Sequence, residues 1–325
     1  MTMRAMILAA GLGTRLRPLS LVRPKVLTPL RGVSILEFWL WRLHQAGIEA
    51  VVINAWHLQE QVAAAIAHGT WPIPVHVLVE PLLLGTGGGI ANALSFFEGE
   101  PFLVINGDIV CDVSLVEVVR QFLDSGASAG LLMHDCNEFN NVAVDADGRI
   151  VGFGREGSDL VRAGPERKIL AFTGIHVIDP EVMSGVPPGR PWDILTVYRE
   201  LIRTGKAPAA LQLPPFWWRE TGSLESYVRL HEELGRLEAN ALPPLPTGRS
   251  ITVDPRAQIS PEAELRGSVW VGAGSRVMAG AIVEDSILWE GIEVLAESRL
   301  VRCVVADGVV VAGVHQDEII TGLPQ

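Results

Sequence analysis

Apolar residues recur along the chain in two different rhythms. In the first third, short continuous apolar runs alternate with stretches whose apolar residues fall at helical spacing. Met3 to Ala10 is a strand-like run, and Gly11-Leu12-Gly13 breaks it. Ser34 to Ala46 has helical spacing and ends at Gly47, Ala50 to Asn54 is a second strand-like run, and Leu58 to Ala67 is helical again. Val75 to Val79 reads as a third strand, Ile90 to Phe97 as a helix and Phe102 to Ile105 as a fourth strand. Apolar strands alternating with helices predict an α/β fold, a parallel sheet with helices on both faces. Such sheets bind ligands at the carboxyl ends of their strands.

From Gly235 the pattern changes. Leu242-Pro243-Pro244-Leu245-Pro246-Thr247-Gly248 favours an extended linker. Beyond it Val253, Ile259, Leu265, Val271, Val277 and Val283 stand six residues apart. After a one-residue slip the rhythm resumes at Leu288, Val294 and Leu300, then slips again to Val305 and Val311. A six-residue aliphatic period is neither helical nor that of an alternating strand. It predicts a parallel β-helix in which each flat face points one aliphatic side chain inward. A sandwich of short strands would not hold so short a fixed period. The expected organisation is therefore an α/β domain over 1–234, a proline-rich linker over 235–250 and a hexapeptide-repeat domain over 251–325.

Composition narrows the functional classes. The chain has 325 residues, of which 48% are hydrophobic and 19% charged, as in a soluble globular protein. No apolar run approaches the ~20 residues of a membrane span, and the N-terminus enters a strand without the features of a secretory signal. Cys111, Cys136 and Cys303 lie far apart in no paired motif, so reduced thiols and a cytoplasmic location are expected. The net charge of −11 argues against a nucleic-acid surface. Up to Leu36 there is no acidic residue, yet Arg4, Arg15, Arg17, Arg23, Lys25 and Arg31 all lie there. That segment is expected to bind a small anion.

The most informative stretch is Leu8-Ala9-Ala10-Gly11-Leu12-Gly13-Thr14-Arg15-Leu16-Arg17-Pro18, followed by Arg23-Pro24-Lys25. A strand running into glycines lets backbone N–H groups approach a phosphate closely. The dinucleotide-binding fingerprint is excluded, because Leu16 holds the place of its third glycine and no acidic residue follows the strand ending at Asn54-Ala55-Trp56. The Walker loop is excluded because Thr14-Arg15 stands where Gly-Lys-Ser/Thr is needed. What remains is a phosphate loop with its own cations. Arg15 can fork onto phosphate oxygens and Lys25 can supply a point charge. Downstream, the strand Phe102 to Ile105 leads into Asn106-Gly107-Asp108. A lone Asp at a strand end can be a turn or cap residue, but after a phosphate loop it reads as a magnesium ligand. The glycines of Leu84-Gly85-Thr86-Gly87-Gly88-Gly89 imply a flat object pressed on bare backbone, with a flexible surface loop as the alternative.

The run Gly-x-Gly-Thr-Arg-x-x-Pro, then Arg-Pro-Lys, resembles the signature of the sugar-phosphate nucleotidylyltransferases. That family includes mannose-1-phosphate guanylyltransferases, glucose-1-phosphate thymidylyl- and adenylyltransferases, and N-acetylmuramate-1-phosphate uridylyltransferases. The resemblance covers nearly the whole chain. It implies a Rossmann-like catalytic sheet followed by a left-handed β-helix, with Mg²⁺ as cofactor. It implies that Arg15 and Lys25 are catalytic, polarising the phosphates. The nucleotide would be bound by Leu8, Ala10, Gly11, Gly13 and Thr14, with Glu80, Gly85 and Thr86 at the base. The metal would be held by Asp108 and by Glu220 of Trp218-Arg219-Glu220-Thr221-Gly222, where the family carries an aspartate. The sugar phosphate would lie against Asn106, Gly107, Asn141, Arg155, Thr173 and Gly174. Where many members have a lysine this chain has Glu156, with Arg155 beside it and Lys168 as another cation.

No histidine lies in a metal-binding or nucleophile-activating motif, and His57 and His176 read as structural. The expected reaction is in-line displacement at the α-phosphorus of a nucleoside triphosphate by a sugar 1-phosphate, without a covalent intermediate or general base. GTP with mannose 1-phosphate is the favoured pair, and UTP with N-acetylmuramate 1-phosphate is the alternative. A catalytically inactive, nucleotide-sugar-sensing regulatory subunit is the rival from another class. His315 stands alone near the end of the repeats, so the β-helix is expected to serve homo-oligomer assembly, not a second activity.

Overall fold

The computed structural model describes residues 3–154 and 167–323. Two compact units divide the chain. One joins Met1–Gly11 to Trp39–Trp218, and the other joins Leu12–Phe38 to Arg219–Gln325.

The first unit is built on a mixed sheet. Val75–Val79, Val51–Ala55, Ala5–Leu8 and Phe102–Asn106 lie side by side and parallel. The long strand Lys168–Ile178 continues the sheet antiparallel to Phe102–Asn106, then also pairs with Ala129–His134 and Val142–Val144. Expectation and structure agree on the parallel half, whose three inner strands read as apolar runs because both faces are covered, while the outermost, Val75–Val79, is partly exposed. Every residue of Val51–Ala55 is buried. The later strands turn the sheet mixed, which the opening alternation could not reveal. Helices Ile35–Gln45 and Gln59–His68 fall within a residue or so of their predicted limits. Ser114 caps Leu115–Ser125 by accepting a hydrogen bond from the Glu117 N–H, and Asp193 caps Ile194–Arg203 from the Leu195 N–H. Stacked Phe97 and Phe102, with ring centroids 3.7 Å apart, lie in the core beside Met6, Val104 and Leu131.

The predicted helix at Ile90–Phe97 differs. The helix covers Gly85–Asn92, and Leu94–Phe97 is a separate 3₁₀ turn. The glycines therefore form the helix instead of preceding it. A Cβ at Gly88 would stand 2.4 Å from the Arg190 carbonyl oxygen, and one at Gly89 2.8 Å from Asn54 Nδ2. Glycine is tolerated here despite its low helix propensity because only it allows this approach.

In the second unit three parallel sheets wind through residues 251–320. Val253 pairs with Val271, Val271 with Leu288 and Leu288 with Val305 on one face. Ile259, Val277, Val294 and Val311 stack on the second, and Leu265, Val283 and Leu300 on the third. These are the hexad positions, which makes this the three-faced architecture of the left-handed β-helix. From Val271 onward every hexad residue through Val311 is at most 2% exposed. The proline-rich stretch is not extended. Leu242 and Leu245 are buried, the Gly248 N–H donates to the Leu234 carbonyl, and the Thr247 hydroxyl donates to Glu238. Burial of the two leucines overrides the extended preference of the prolines. The same unit contains the hairpin of Pro29–Leu30 and Val33–Ser34, whose two-residue turn puts Arg31 and Gly32 at positive φ. Among the described residues no helix is long and apolar enough to cross a membrane.

Candidate active site

In the second unit the glycine loop runs into a tight turn. Gly13 has φ +60°, and a Cβ there would lie 2.9 Å from Ser20 Cβ. The Ser20 hydroxyl donates to the Gly13 carbonyl at 2.8 Å. Thr14–Leu16 form one 3₁₀ turn, with Leu16 fully buried as its anchor and the Arg15 side chain 64% exposed. Lys25–Leu27 form a second such turn, and the Thr28 hydroxyl donates to the Lys25 carbonyl. Glu220 ends the strand Trp218–Glu220. Arg15 Nη2 reaches Glu220 Oε1 at 2.6 Å, and Lys25 Nζ lies 3.9 Å from the same oxygen. The two predicted catalytic cations thus converge on the predicted second carboxylate. Gly222 makes room for it, since a Cβ there would fall 1.7 Å from Glu220 Oε1. Ser223 and Ser226 then form a reciprocal capping box that opens the helix Leu224–Arg236.

In the first unit the ends of adjacent parallel strands carry some of the other predicted residues. Leu8 pairs with Asn106, and the Gly107 N–H donates to the Leu8 carbonyl at 2.9 Å. Asp108 follows at once, half-buried. Gly174, at φ +86°, lies against the Asn106 side chain, where a Cβ would be 2.6 Å from Nδ2. These three segments are therefore neighbours at one sheet edge. Ala10 is buried and Gly11 exposed at the end of the opening strand. Thr173 is buried, its hydroxyl donating to the Leu132 carbonyl and its own carbonyl accepting from Trp218 Nε1. The exposed Asn141 bonds through its backbone to Leu170 and Gly154. Lys168 is exposed at the start of its strand, and Arg155 lies outside the described residues.

Glu80 is 2% exposed, and both of its oxygens are engaged within the chain. Oε1 accepts from Asn54 Nδ2 at 2.7 Å and Oε2 from the Leu84 N–H at 3.0 Å. Asn54 in turn accepts from the Ala9 N–H at 2.8 Å. A buried carboxylate with this set of donors ties the opening strand to the start of the glycine helix. The bare backbone of that helix meets the protein itself. Gly87 and Gly88 donate to the Trp192 carbonyl, and the Thr86 hydroxyl accepts from the Ile194 N–H. Gly85 and Thr86 remain the more accessible pair at its tip. Asn54 and Trp192 have roles the sequence reading did not assign. A polar residue closing the apolar run Ala50 to Asn54 was the available signal for the first, and nothing local marks the second.

His176 is buried, its Nδ1 hydrogen-bonded to the Tyr198 hydroxyl, and desolvation pushes its pKa down to about 3. It is neutral and structural. Burial likewise pushes the Cys111 thiol up to about 12, so it is not a nucleophile.

A sequence profile described as nucleotidyl transferase matches residues 4–236. A mannose-1-phosphate guanylyltransferase of Mycobacterium tuberculosis is 29% identical over 302 residues, 90% of this chain and 81% of the relative. An N-acetylmuramate alpha-1-phosphate uridylyltransferase of Neisseria meningitidis is 32% identical over 63% of this chain and 87% of its own. Among solved structures, HddC of Yersinia pseudotuberculosis complexed with GMP-PN is similar in fold. Its TM-score is 0.56 at 22% identity, covering 71% of this chain and 99% of that one.

Proposed function

The chain belongs to the nucleotidyl transferase family, and from that premise we propose that it joins GTP to mannose 1-phosphate and releases pyrophosphate. Sugar-1-phosphate nucleotidyl transfer is the activity shared by the relatives named above. The observation that carries the reading is the convergence of Arg15 and Lys25, from the glycine-loop segment, on Glu220. Two cations held by one carboxylate are ready for a more highly charged anion. A triphosphate would compete for them with several oxygens where Glu220 offers two.

In the reaction an oxygen of the sugar 1-phosphate attacks the α-phosphorus. The bond from that phosphorus to the bridging oxygen breaks, and pyrophosphate leaves with the electron pair. The attacking phosphate is already ionised, so positioning and charge stabilisation suffice. Arg15 orients the phosphates through its planar fork, and Lys25 offsets charge on the leaving group. Gly11, Gly13 and Thr14 offer backbone donors. Asp108 and Glu220 each offer hard oxygen donors of the kind Mg²⁺ prefers, and this ion takes one or two carboxylates alongside phosphate oxygens. When bound it would neutralise the triphosphate. Asn106, Gly107, Asn141, Arg155, Thr173 and Gly174 are assigned to the sugar phosphate, and Gly85 and Thr86 to the base, with Glu80 bracing them.

The choice of guanylyl transfer is supported by the match to the mycobacterial relative, which at 90% of the chain extends into the coils. Uridylyl transfer to N-acetylmuramate 1-phosphate is the second reading, favoured by the higher identity over a shorter span. The test is pyrophosphate release with four nucleoside triphosphates against mannose, glucose and N-acetylmuramate 1-phosphates, with and without Mg²⁺. Fastest release from GTP with mannose 1-phosphate, lost on chelation, is expected. Preference for UTP with N-acetylmuramate 1-phosphate would select the second reading, and no turnover with any pair would overturn both.

A further inference from the structure

We infer that Arg23 is a positioning residue for Lys25, and that the coils of the β-helix hold it in place. The inference rests on the reading of Lys25 as a phosphate-handling cation. All the residues concerned lie in the second unit.

Arg23 precedes Lys25 by two residues, with Pro24 between them fixing the backbone. Its guanidinium grips Asp307, far along the chain, by a two-pronged contact. Nε donates to Oδ2 at 2.5 Å and Nη2 to Oδ1 at 2.8 Å. Nη2 also lies 3.1 Å from Glu290 Oε2, and the guanidinium carbon stands 5.6 Å from the Trp289 ring centroid. Asp307 is itself oriented, since Oδ1 accepts the Glu290 N–H at 3.0 Å. The Arg23 side chain is only 21% exposed. Burial opposes its charge, and Asp307 and Glu290 more than restore it.

The other side of the Lys25 turn is fastened as well. The Tyr227 hydroxyl donates to the Pro29 carbonyl at 2.6 Å while accepting from Trp289 Nε1. His231 Nε2 lies 3.1 Å from the same carbonyl. Arg31, 2% exposed, donates through Nη2 to the carbonyls of Arg249 and Ser250 and to the Thr252 hydroxyl. Packing alone would need only apolar contact, which fixes no direction. A bidentate guanidinium adds direction, because both of its bonds fail if the backbone rotates. The β-helix is thus part of the support for the catalytic turn, besides any part in assembly.

The test uses the full chain and its three lysines, Lys25, Lys168 and Lys206. Asp307→Asn keeps the side-chain size but breaks the fork, and Arg23→Lys keeps the charge but not the geometry. Lysine acetylation followed by mass spectrometry reports on Lys25, with the other two as internal references. In Asp307→Asn, acetylation of Lys25 is expected to change about fivefold as its turn loosens, with kcat falling about tenfold or more. Arg23→Lys should lie between this variant and wild type. Asp317→Asn, which breaks the exposed pair with Arg302 in the same coils, should leave both readouts unchanged. Asp307→Asn indistinguishable from wild type in both readouts overturns the inference, and so does a fall in kcat with Lys25 acetylation unchanged. Altered acetylation with unchanged kcat would keep the brace and remove Lys25 from the chemistry. If no substrate pair turns over, the proposed function fails, and acetylation alone decides the brace.

Discussion

Gly222→Ala should separate activity from stability. Gly222 is not at positive φ, so alanine fits its backbone. The added Cβ would stand 1.7 Å from Glu220 Oε1, 2.5 Å from its Cδ and 2.6 Å from Arg15 Nη2. Cβ contacts below 3.0 Å essentially do not occur, so the carboxylate oxygen must retreat by at least 3.0 − 1.7 = 1.3 Å. The stability cost is small. Arg15 is 64% exposed although Glu220 is only 14% exposed, and a pair with one partner in water contributes about 0–1 kcal/mol. Replacing glycine stiffens the unfolded chain by about 0.4–1 kcal/mol in the opposite sense. The net change should stay within about 1 kcal/mol, a Tm shift under about 4 °C. For catalysis a misplacement of about 1 Å costs on the order of 100-fold. Pyrophosphate release and thermal unfolding, measured on the same preparation, would show a folded but slow enzyme. A variant that turns over at the wild-type rate would refute the assignment of Glu220, and one that unfolds would refute the estimate of the pair.

Asp108→Asn should cut pyrophosphate release by about 100-fold or more while the circular dichroism spectrum stays native, and normal turnover would exclude Asp108 as metal ligand. Gly88→Ala should lower the urea midpoint by the equivalent of about 1–3 kcal/mol, because its Cβ would meet the Arg190 backbone carbonyl; an unchanged midpoint would contradict the close packing of that helix. His176 and His231 are both held near pKa 3 by burial, His231 with help from the Arg31 charge, so the native state keeps them neutral. Between the unfolded value of 6.5 and about 3 the unfolded chain binds protons that the native one does not. Stability present above that window should therefore fall with pH, by up to about 1.4 kcal/mol per pH unit for each histidine. Urea unfolding from pH 7 to 5 would test this, and a flat profile would show that these imidazoles are not buried neutral.

What could be read along the chain was whatever has a short period or a local motif. The hexad positions Val271, Leu288 and Val305 stack on one face because each coil repeats the same three flat sides, so linear spacing becomes spatial register. The loop Gly11-Leu12-Gly13-Thr14-Arg15 and the terminal Asp108 were visible because strand, turn and charge lie within a few residues of one another. Tertiary structure decided what depends on distant partners. Glycines 85 to 89 look like a loop in isolation and become a helix because the Trp192 carbonyl and the Asn54–Glu80 pair occupy the space side chains would fill. Glu80 carries the charge expected at a base pocket, yet its burial between Asn54 and Leu84 makes it a brace. Most of all, the compact second unit joins Leu12–Phe38 to the coils, across roughly two hundred intervening residues. Apolar periodicity records which face of an element is buried, but carries no record of what buries it. Partners such as Arg23 and Asp307, or Arg31 and Thr252, therefore have no signature in sequence and meet only once the chain has folded.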